Sequence, residues 1–300
     1  MMFGKVAIIG LGLIGSSIAH AARRGQLAGA IAGFDSDADV RARAAAIGFA
    51  TITGTLEDAV KDADLVILCS PVGSYAALAR AIAPLLKPGA ILSDVGSVKS
   101  AVLRDVMPFV PDGVAFVPAH PIAGTEFSGP EAGFASLFDK RWCILTPPPG
   151  TPAAAVEMLK AFWEGMGASV DVMDAIHHDL VLAITSHLPH LIAYNIVGTA
   201  RDLETVREAE VIKYSASGFR DFTRIAASDP TMWRDIFMNN RDAVLEVLAR
   251  FNQDLAVLQR AVESGDGQYL FDFFTRTRAI RKAIVEIGQD TAAPDFGRKS

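Results

Sequence analysis

The run Gly10-Leu11-Gly12-Leu13-Ile14-Gly15 constrains this chain more than any other feature, because of what stands on either side of it. Before it lies the β-branched stretch KVAII, and after it the helical pattern IGSSIAHAARR. A G-x-G-x-x-G run between a strand and a helix is the turn of a dinucleotide-binding βαβ unit. Gly10 permits the tight turn, Gly12 lets the backbone approach a pyrophosphate, and Gly15 lets the helix pack closely on the sheet. The first helical turn, Leu13 and Ile14 included, offers oriented N–H donors to phosphate oxygens. The next strand ends at Asp35, twenty residues beyond Gly15, where an acid holds the ribose hydroxyls. Its charge repels a 2′-phosphate and no arginine follows it directly in FDSDAD, so the expected cofactor is NAD rather than NADP. Ser70, Pro71 and Val72 close another strand and are expected to line the same crevice, beyond the carboxyl ends of the sheet.

Around this unit, β-branched runs alternate with helical patterns, the signature of a mostly parallel sheet. Strands are expected over 5–10, 30–35, 65–70, 90–95, 115–118, 142–146 and 169–173. Helices are expected over 13–24, 36–47, 55–60, 74–86 and 152–166. Thr55 with Asp58 reads as an N-terminal cap, and Pro88-Gly89 as a stop. From about residue 174 the strand signals cease, and 174–287 reads as helices broken near Gly218, Asp229-Pro230 and 265–267. Asp229 then Pro230 starts a helix by a side-chain cap followed by a residue that lacks the donor the first turn cannot use. The expected architecture is a Rossmann-type α/β domain over 1–173, then an all-helical domain over 174–300 whose tail, 289–300, is frayed.

Composition narrows the classes of partner. Of 300 residues 51% are hydrophobic, enough for two cores. Twenty-eight basic against 34 acidic residues give a formal charge of −6. That excludes a nucleic-acid binder held by whole-surface electrostatics, though not a local basic pocket. Cys69 and Cys143, in apolar runs, read as reduced core thiols of a cytosolic protein. The early glycines and the lack of a basic leader argue against a signal peptide, and no uninterrupted apolar run reaches membrane-spanning length. A cytoplasmic protein without a membrane partner is expected.

Three further segments carry chemistry. Asp94-Val95-Gly96-Ser97-Val98-Lys99 follows one strand, and Pro118-Ala119-His120-Pro121-Ile122-Ala123-Gly124-Thr125-Glu126 follows the next. His177-His178-Asp179 and Ser186-His187-Leu188-Pro189-His190 lie on the first long helix of the second half. Together with Gly218-Phe219-Arg220-Asp221-Phe222-Thr223-Arg224, the set resembles the prephenate/arogenate (cyclohexadienyl) dehydrogenase family, over residues 5–287. H-P-I-A-G-T-E followed by S-H-L-P-H carries the resemblance. Ser215-Ala216-Ser217-Gly218 departs from the glycine run that members often have there, and no mutase or regulatory module accompanies the match, which implies the monofunctional form.

The resemblance implies oxidative decarboxylation of prephenate and/or arogenate with hydride transfer to NAD, giving 4-hydroxyphenylpyruvate or tyrosine. It also implies a homodimer whose helical domain binds substrate and dimerises. It assigns His120 as the catalytic histidine, and the chemistry agrees. A neutral imidazole can accept the ring hydroxyl proton as hydride and CO2 leave, and its ordinary pKa lies near neutrality. Ser97 is implied to bond this histidine or the cofactor, and Thr125, Glu126 and His190 to stand beside the substrate. A dianionic substrate on a net-negative protein needs a local carboxylate clamp, which the resemblance places on Arg224. Arg220 shares its helix face and is open between a supporting and an interface role. His178 and His187 are open between structure and function. On an ideal helix these two point about 180° apart, so no metal site is expected. Trp233 reads as a packing aromatic. Two alternatives stand beside this reading. A dehydrogenase of β-hydroxyacid or pyrroline-carboxylate type is one; the former needs a helical-domain lysine, where only Lys213 stands before the last helix. A non-catalytic NAD-binding sensor is the other, and it would need neither His120 nor Arg224.

Overall fold

The computed structural model describes residues 1–125, 127–202 and 216–286. Glu126, Lys213 with the rest of 203–215, and the tail expected over 289–300 lie outside the described residues. By contacts the chain divides into two compact units, Met1–Val244 and Leu245–Ser300.

In the first unit, strands β1 (Phe3–Ile9), β2 (Ala28–Phe34), β3 (Thr51–Ile52), β4 (Leu65–Leu68), β5 (Ile91–Asp94) and β6 (Ala115–Phe116) form one parallel sheet in the order β3-β2-β1-β4-β5-β6. Side chains alternate across a strand. Val6, Ile8, Leu65 and Ile67 therefore join the core beneath helices α1 (Leu13–Arg24), α2 (Ala38–Ile47) and α6 (Ala153–Gly165). Ala7, Ile9, Val66 and Leu68 face the opposite core, under α3 (Leu56–Val60), α4 (Tyr75–Ile82) and α5 (Lys99–Val106). Cover on both faces explains why the LVIL of β4 is apolar throughout. Winding reverses between β1 and β4, which leaves a crevice at their carboxyl ends.

Several boundaries move for local reasons. Helix α2 starts at Ala38 rather than at 36, capped by Asp37, which accepts from Asp39 N at 2.8 Å, whereas Thr55 caps α3 as expected, accepting from Asp58 N at 3.1 Å. The strand expected over 115–118 ends at Phe116, ahead of Pro118, which has no N–H to give a ladder. The chain then enters a second sheet, so the single sheet expected from the pattern is two. In it β7 (Ala119–Pro121) pairs antiparallel with β8 (Trp142–Leu145), and β8 pairs parallel with β9 (Ser169–Val172). Neither β3, β7 nor α5 was expected from the pattern.

Beyond β9 the described residues are helical. Asp174 caps α7 (Ala175–Leu182), a π turn spans Ala183–His187, and α8 (Leu188–Asp202) continues the run. Over its 28 residues, Ala175–Asp202 has the length and composition of a membrane span, although polar residues interrupt its apolar run. It also holds His178, Asp179 and His187, all buried. Next come α9 (Ser217–Thr223), with Gly218 in its first turn, and α10 (Pro230–Asn239), where Asp229 accepts from Met232 N at 2.8 Å. The helices from 175 to 239 belong by contacts to the same compact unit as the sheets. Helix α11 (Arg241–Ser264) ends before Gly265, whose φ of +69° suits glycine, and α12 (Gly267–Glu286) follows. The second unit leaves Leu255, Val262, Phe271, Phe274 and Ile280 more than half exposed.

Candidate active site

The glycine-rich turn sits at the crevice. Gly10 has φ +105°, and a Cβ there would lie 2.6 Å from the backbone of Cys69 and Ser70, so the turn is pressed against the end of β4. A Cβ on Gly15 would run into the Gly10 carbonyl, whereas one on Gly12 would meet nothing. Gly12 is also the N-cap of α1 and supplies no side-chain cap, so the first-turn N–H groups keep their donors for a ligand. Open space at Gly12 and uncapped donors behind it fit the pyrophosphate of a dinucleotide. Asp35 ends the neighbouring strand, its carboxylate accepting from Leu11 N at 2.9 Å and Asp37 N at 3.0 Å. Arg41 folds back to this point, but its guanidinium serves the Asp35 and Ser36 carbonyls and the Phe34 ring. Across the crevice Ser70 bonds Ser74 at 2.7 Å, and Val72 lies against Gly96, on the loop after β5.

Beyond α5 and β6 the chain reaches His120. The imidazole rises from β7, opposite Ile144, and is only 9% exposed. Its Nδ1 lies 2.9 Å from Nε2 of His178, and Nδ1 of His178 lies 2.9 Å from Oδ1 of Asp179. The Asp179 carboxylate in turn accepts from Lys99 N at 2.7 Å and Ser100 N at 2.8 Å. It thereby caps α5, whose own N-cap residue, Val98, has no side chain for the task. Asn240 donates to the Asp179 carbonyl at 2.8 Å and reaches His187 Nδ1 at 2.9 Å. Below His120, Lys99 Nζ donates to Asp94 and to the Ala119 carbonyl, both at 2.6 Å, and both side chains of that ion pair are fully buried.

Burial decides the charge states. It holds His120 well below the ordinary imidazole range, aided by His178, Lys99 and His187. His178 is also held low by burial, against the pull of Asp179. Burial would raise Asp179, but hydrogen bonds from His178, Ser100 and Lys99 outweigh it and keep the group a carboxylate. The contact between His178 and Asp179 is therefore a neutral ring donating to an anion. Burial likewise pushes both cysteine thiols up, so neither is a thiolate at neutral pH.

A second cluster forms around His190. Its ring stacks on Trp233 with centroids 3.6 Å apart, and Nδ1 lies 2.8 Å from the Ser186 carbonyl. Burial lowers its pKa, the hydrogen bond to the Ser186 carbonyl opposes that shift, and the nearby charge of Arg224 adds to it. Arg224 opens the short turn Arg224–Ala227, is exposed, and has no ion pair among the described residues. Trp233 packs with Val98, Ala101 and Ile236, and its buried Nε1 lacks a partner among the described residues.

The structure thus brings His190 near Arg224 and sets His120 against a residue whose role was open, His178. Ser97 is half-buried on the loop before α5 and makes no hydrogen bond to His120. Thr125 is exposed on the loop after β7, its hydroxyl accepting from Phe127 N at 3.3 Å. Arg220 lies 4.0 Å from Asp221. The opposed directions expected for His178 and His187 assumed an ideal helix; the π turn between them breaks that phase, and Asn240 links the two segments. Sequence reasoning included Asp94, Lys99 and Asp179 in its motifs without giving them a role, and it passed over Asn240. The one available signal was the D-x-x-x-x-K spacing at the end of β5.

Known proteins share the sequence pattern and the fold of this chain. The family profile described as prephenate dehydrogenase, nucleotide-binding domain, matches residues 18–172, and that of the prephenate dehydrogenase dimerization domain matches 174–276. A cyclohexadienyl dehydrogenase of Zymomonas mobilis is 44% identical over 284 residues, covering 94% of this chain and 97% of the relative. A prephenate dehydrogenase of Bacillus subtilis is 32% identical, covering 98% and 80%. Among solved structures, prephenate dehydrogenase from A. aeolicus in complex with hydroxyphenyl propionate and NAD+ superposes with a TM-score of 0.87 at 34% identity, covering 94% of this chain and 98% of that one. The arogenate dehydrogenase of Synechocystis gives 0.80 at 25%, covering 93% and 99%.

Proposed function

The chain belongs to the prephenate dehydrogenase family, and on that premise we propose how its own residues divide the reaction. It is an NAD-dependent enzyme for the oxidative decarboxylation of prephenate and/or arogenate. His120 is the general base. The observation that carries this assignment is a buried, neutral imidazole whose Nδ1 is taken by His178, which leaves Nε2 as the free ring nitrogen.

Bound NAD supplies the oxidant that takes up the hydride. His120 Nε2 accepts a share of the ring hydroxyl proton as the C–H pair leaves from the same carbon. Density pushed in from that oxygen expels the hydride, and the carbonyl-like carbon it leaves draws the electrons of the bond to the departing carboxylate through the ring toward that oxygen as CO2 is lost. The proton returns to oxygen once the ring is aromatic, so no net proton is consumed. Gly10, Gly12, Leu13, Ile14, Gly15 and Asp35 hold the dinucleotide, with Ser70, Pro71 and Val72 along its path. Ser97 faces the reacting end. Thr125 and His190 border the substrate, and Arg224 takes a carboxylate. A cytoplasmic homodimer completes the reading, supported by the matched dimerization profile and by the exposed apolar side chains of the second unit.

Replacing His120 tests the assignment. His120→Asn should lower kcat roughly 10²–10⁴-fold, the usual worth of a positioned base, with KM for prephenate changing far less. The wild-type kcat should fall at acid pH, below the ordinary imidazole range, since a protonated ring accepts no proton. That limb should vanish in the variant. A variant with near-normal kcat, or with the same limb at reduced rate, would move the base elsewhere.

A further inference from the structure

We infer that His178 and Asp179 are positioning residues that fix the tautomer of His120, so that its Nε2 always presents a lone pair to the substrate. The inference rests on His120 being the base. It follows from counting protons along one hydrogen-bonded chain. Asp179 is the fixed end. Its carboxylate already accepts two backbone N–H groups, Lys99 N on Oδ1 and Ser100 N on Oδ2, and has no proton to give. The 2.9 Å contact to His178 Nδ1 must therefore be made by a proton on that nitrogen. A neutral imidazole carries one N–H, so Nε2 of His178 is an acceptor. The 2.9 Å contact between this Nε2 and His120 Nδ1 can then be a hydrogen bond only if His120 carries its proton on Nδ1. Nε2 of His120 is left unprotonated.

The alternative tautomer would set two lone pairs facing each other inside a buried site, where an unmade hydrogen bond costs the desolvation of both groups. The chain also serves the transition state. As Nε2 takes the hydroxyl proton, His120 gains positive charge, its Nδ1–H bond to His178 strengthens, and the Asp179 anion lies one ring beyond. Because Asp179 simultaneously caps α5, the anion's position is set by a helix rather than by a mobile side chain. The groups that face this relay are Lys99 and Asp94 from below and His187, through Asn240, from the side.

Nitrogen-15 NMR of histidine-labelled protein with NAD bound reads the tautomer directly, and the resonances lost in His120→Asn assign the ring. The expected result is an Nδ1–H imidazole at neutral pH; an Nε2–H imidazole overturns the inference. Kinetics provides the second arm. His178→Leu removes the acceptor and should lower kcat about ten- to a hundredfold, less than loss of the base itself, while NAD affinity and KM stay within about twofold. His178→Gln offers an amide oxygen where Nε2 stood and should recover most of that loss. If Leu and Gln variants lose equally, or neither loses, the relay is refuted. If His120→Asn is crippled in the same series, that refutation leaves the base standing; if His120→Asn retains full kcat, it is the base assignment that has failed.

Discussion

Arg224 is the proposed point at which a net-negative protein meets an anionic substrate, and its worth follows from what it lacks. It makes no ion pair among the described residues, and its charge already holds down the neighbouring His190. A guanidinium left unpaired beside a stacked imidazole is ready for a carboxylate. Arg224→Ala should therefore raise KM for prephenate roughly ten- to a hundredfold, the usual worth of a hydrogen bond to a charged group, with NAD affinity unchanged. The same replacement should let the pKa of His190 rise toward its ordinary value, because a nearby cation has gone; titrating that ring by NMR checks the placement independently of turnover. Arg224→Lys should fall between, keeping charge but losing the fork. A parallel loss of NAD affinity would make the residue structural. Single residues were legible in the sequence where the chemistry is local, as at Gly10, Gly12 and Asp35. Asp179 was not, because the amides it serves lie 80 and 79 residues earlier in the chain.

Helix α5 shows the same limit one level up. Its N-terminus lacks a local cap, so the pattern around Val98 looks like loop, and the helix is completed only when α7 delivers Asp179. Two prolines mark the other places where local pattern and structure part. Pro118 ends the parallel sheet and sends His120 into a second one, while Pro189 withholds a donor just past the π turn that places His187. Strands β1 and β4 were legible because burial on both faces requires apolar runs; the two- and three-residue strands β3 and β7 carry no such signal. The buried Lys99–Asp94 pair joins α5 to the ends of β5 and β7, and its energetics can be separated from catalysis. Lys99→Met leaves a wholly buried carboxylate without its cation and should cost about 3–5 kcal/mol of stability. Burial already raises Asp94, and losing Lys99 raises it further, so the folded variant binds a proton more readily than the unfolded chain. Its deficit should accordingly shrink as pH is lowered, and adding Asp94→Asn should recover part of it at neutral pH. Urea unfolding of the three proteins at pH 5 and pH 8 measures this, and a deficit independent of pH would assign the loss to packing.

At the scale of the whole molecule, the site is built by burying histidines without charge, and that choice has a consequence for acid stability. His187 has its pKa lowered to about 4, by burial above all and by neighbouring His178 and His190 in spite of Asp179. His120 and His178 are displaced in the same direction, again by burial first. Once unfolded, each ring titrates near its ordinary value of about 6.5. Between these limits the unfolded chain binds protons that the folded protein refuses, so stability falls as pH falls. The contribution is fully present above about pH 6.5 and is lost progressively on the way down through pH 4. For His187 alone the full loss is roughly 3 kcal/mol, taking 1.36 kcal/mol for each pH unit of displacement. Carboxylates held low by cations, such as Asp139 beside Arg24 and Asp64 beside Lys87, act in a separate window, since their contribution persists until pH drops below the ordinary carboxylate range. Denaturant unfolding from pH 7.5 to 4.5, at one protein concentration because an oligomer's stability depends on it, should thus show a slope equal to more than one proton taken up per chain near pH 5. Replacing His187 with Gln, which still offers an oxygen to Asn240, should lower that slope by about one proton even if it lowers stability overall. A stability that stayed flat from pH 7.5 to 5 would mean that the buried rings open to water, and with it the neutral state of His120 on which the base depends would lose its physical cause.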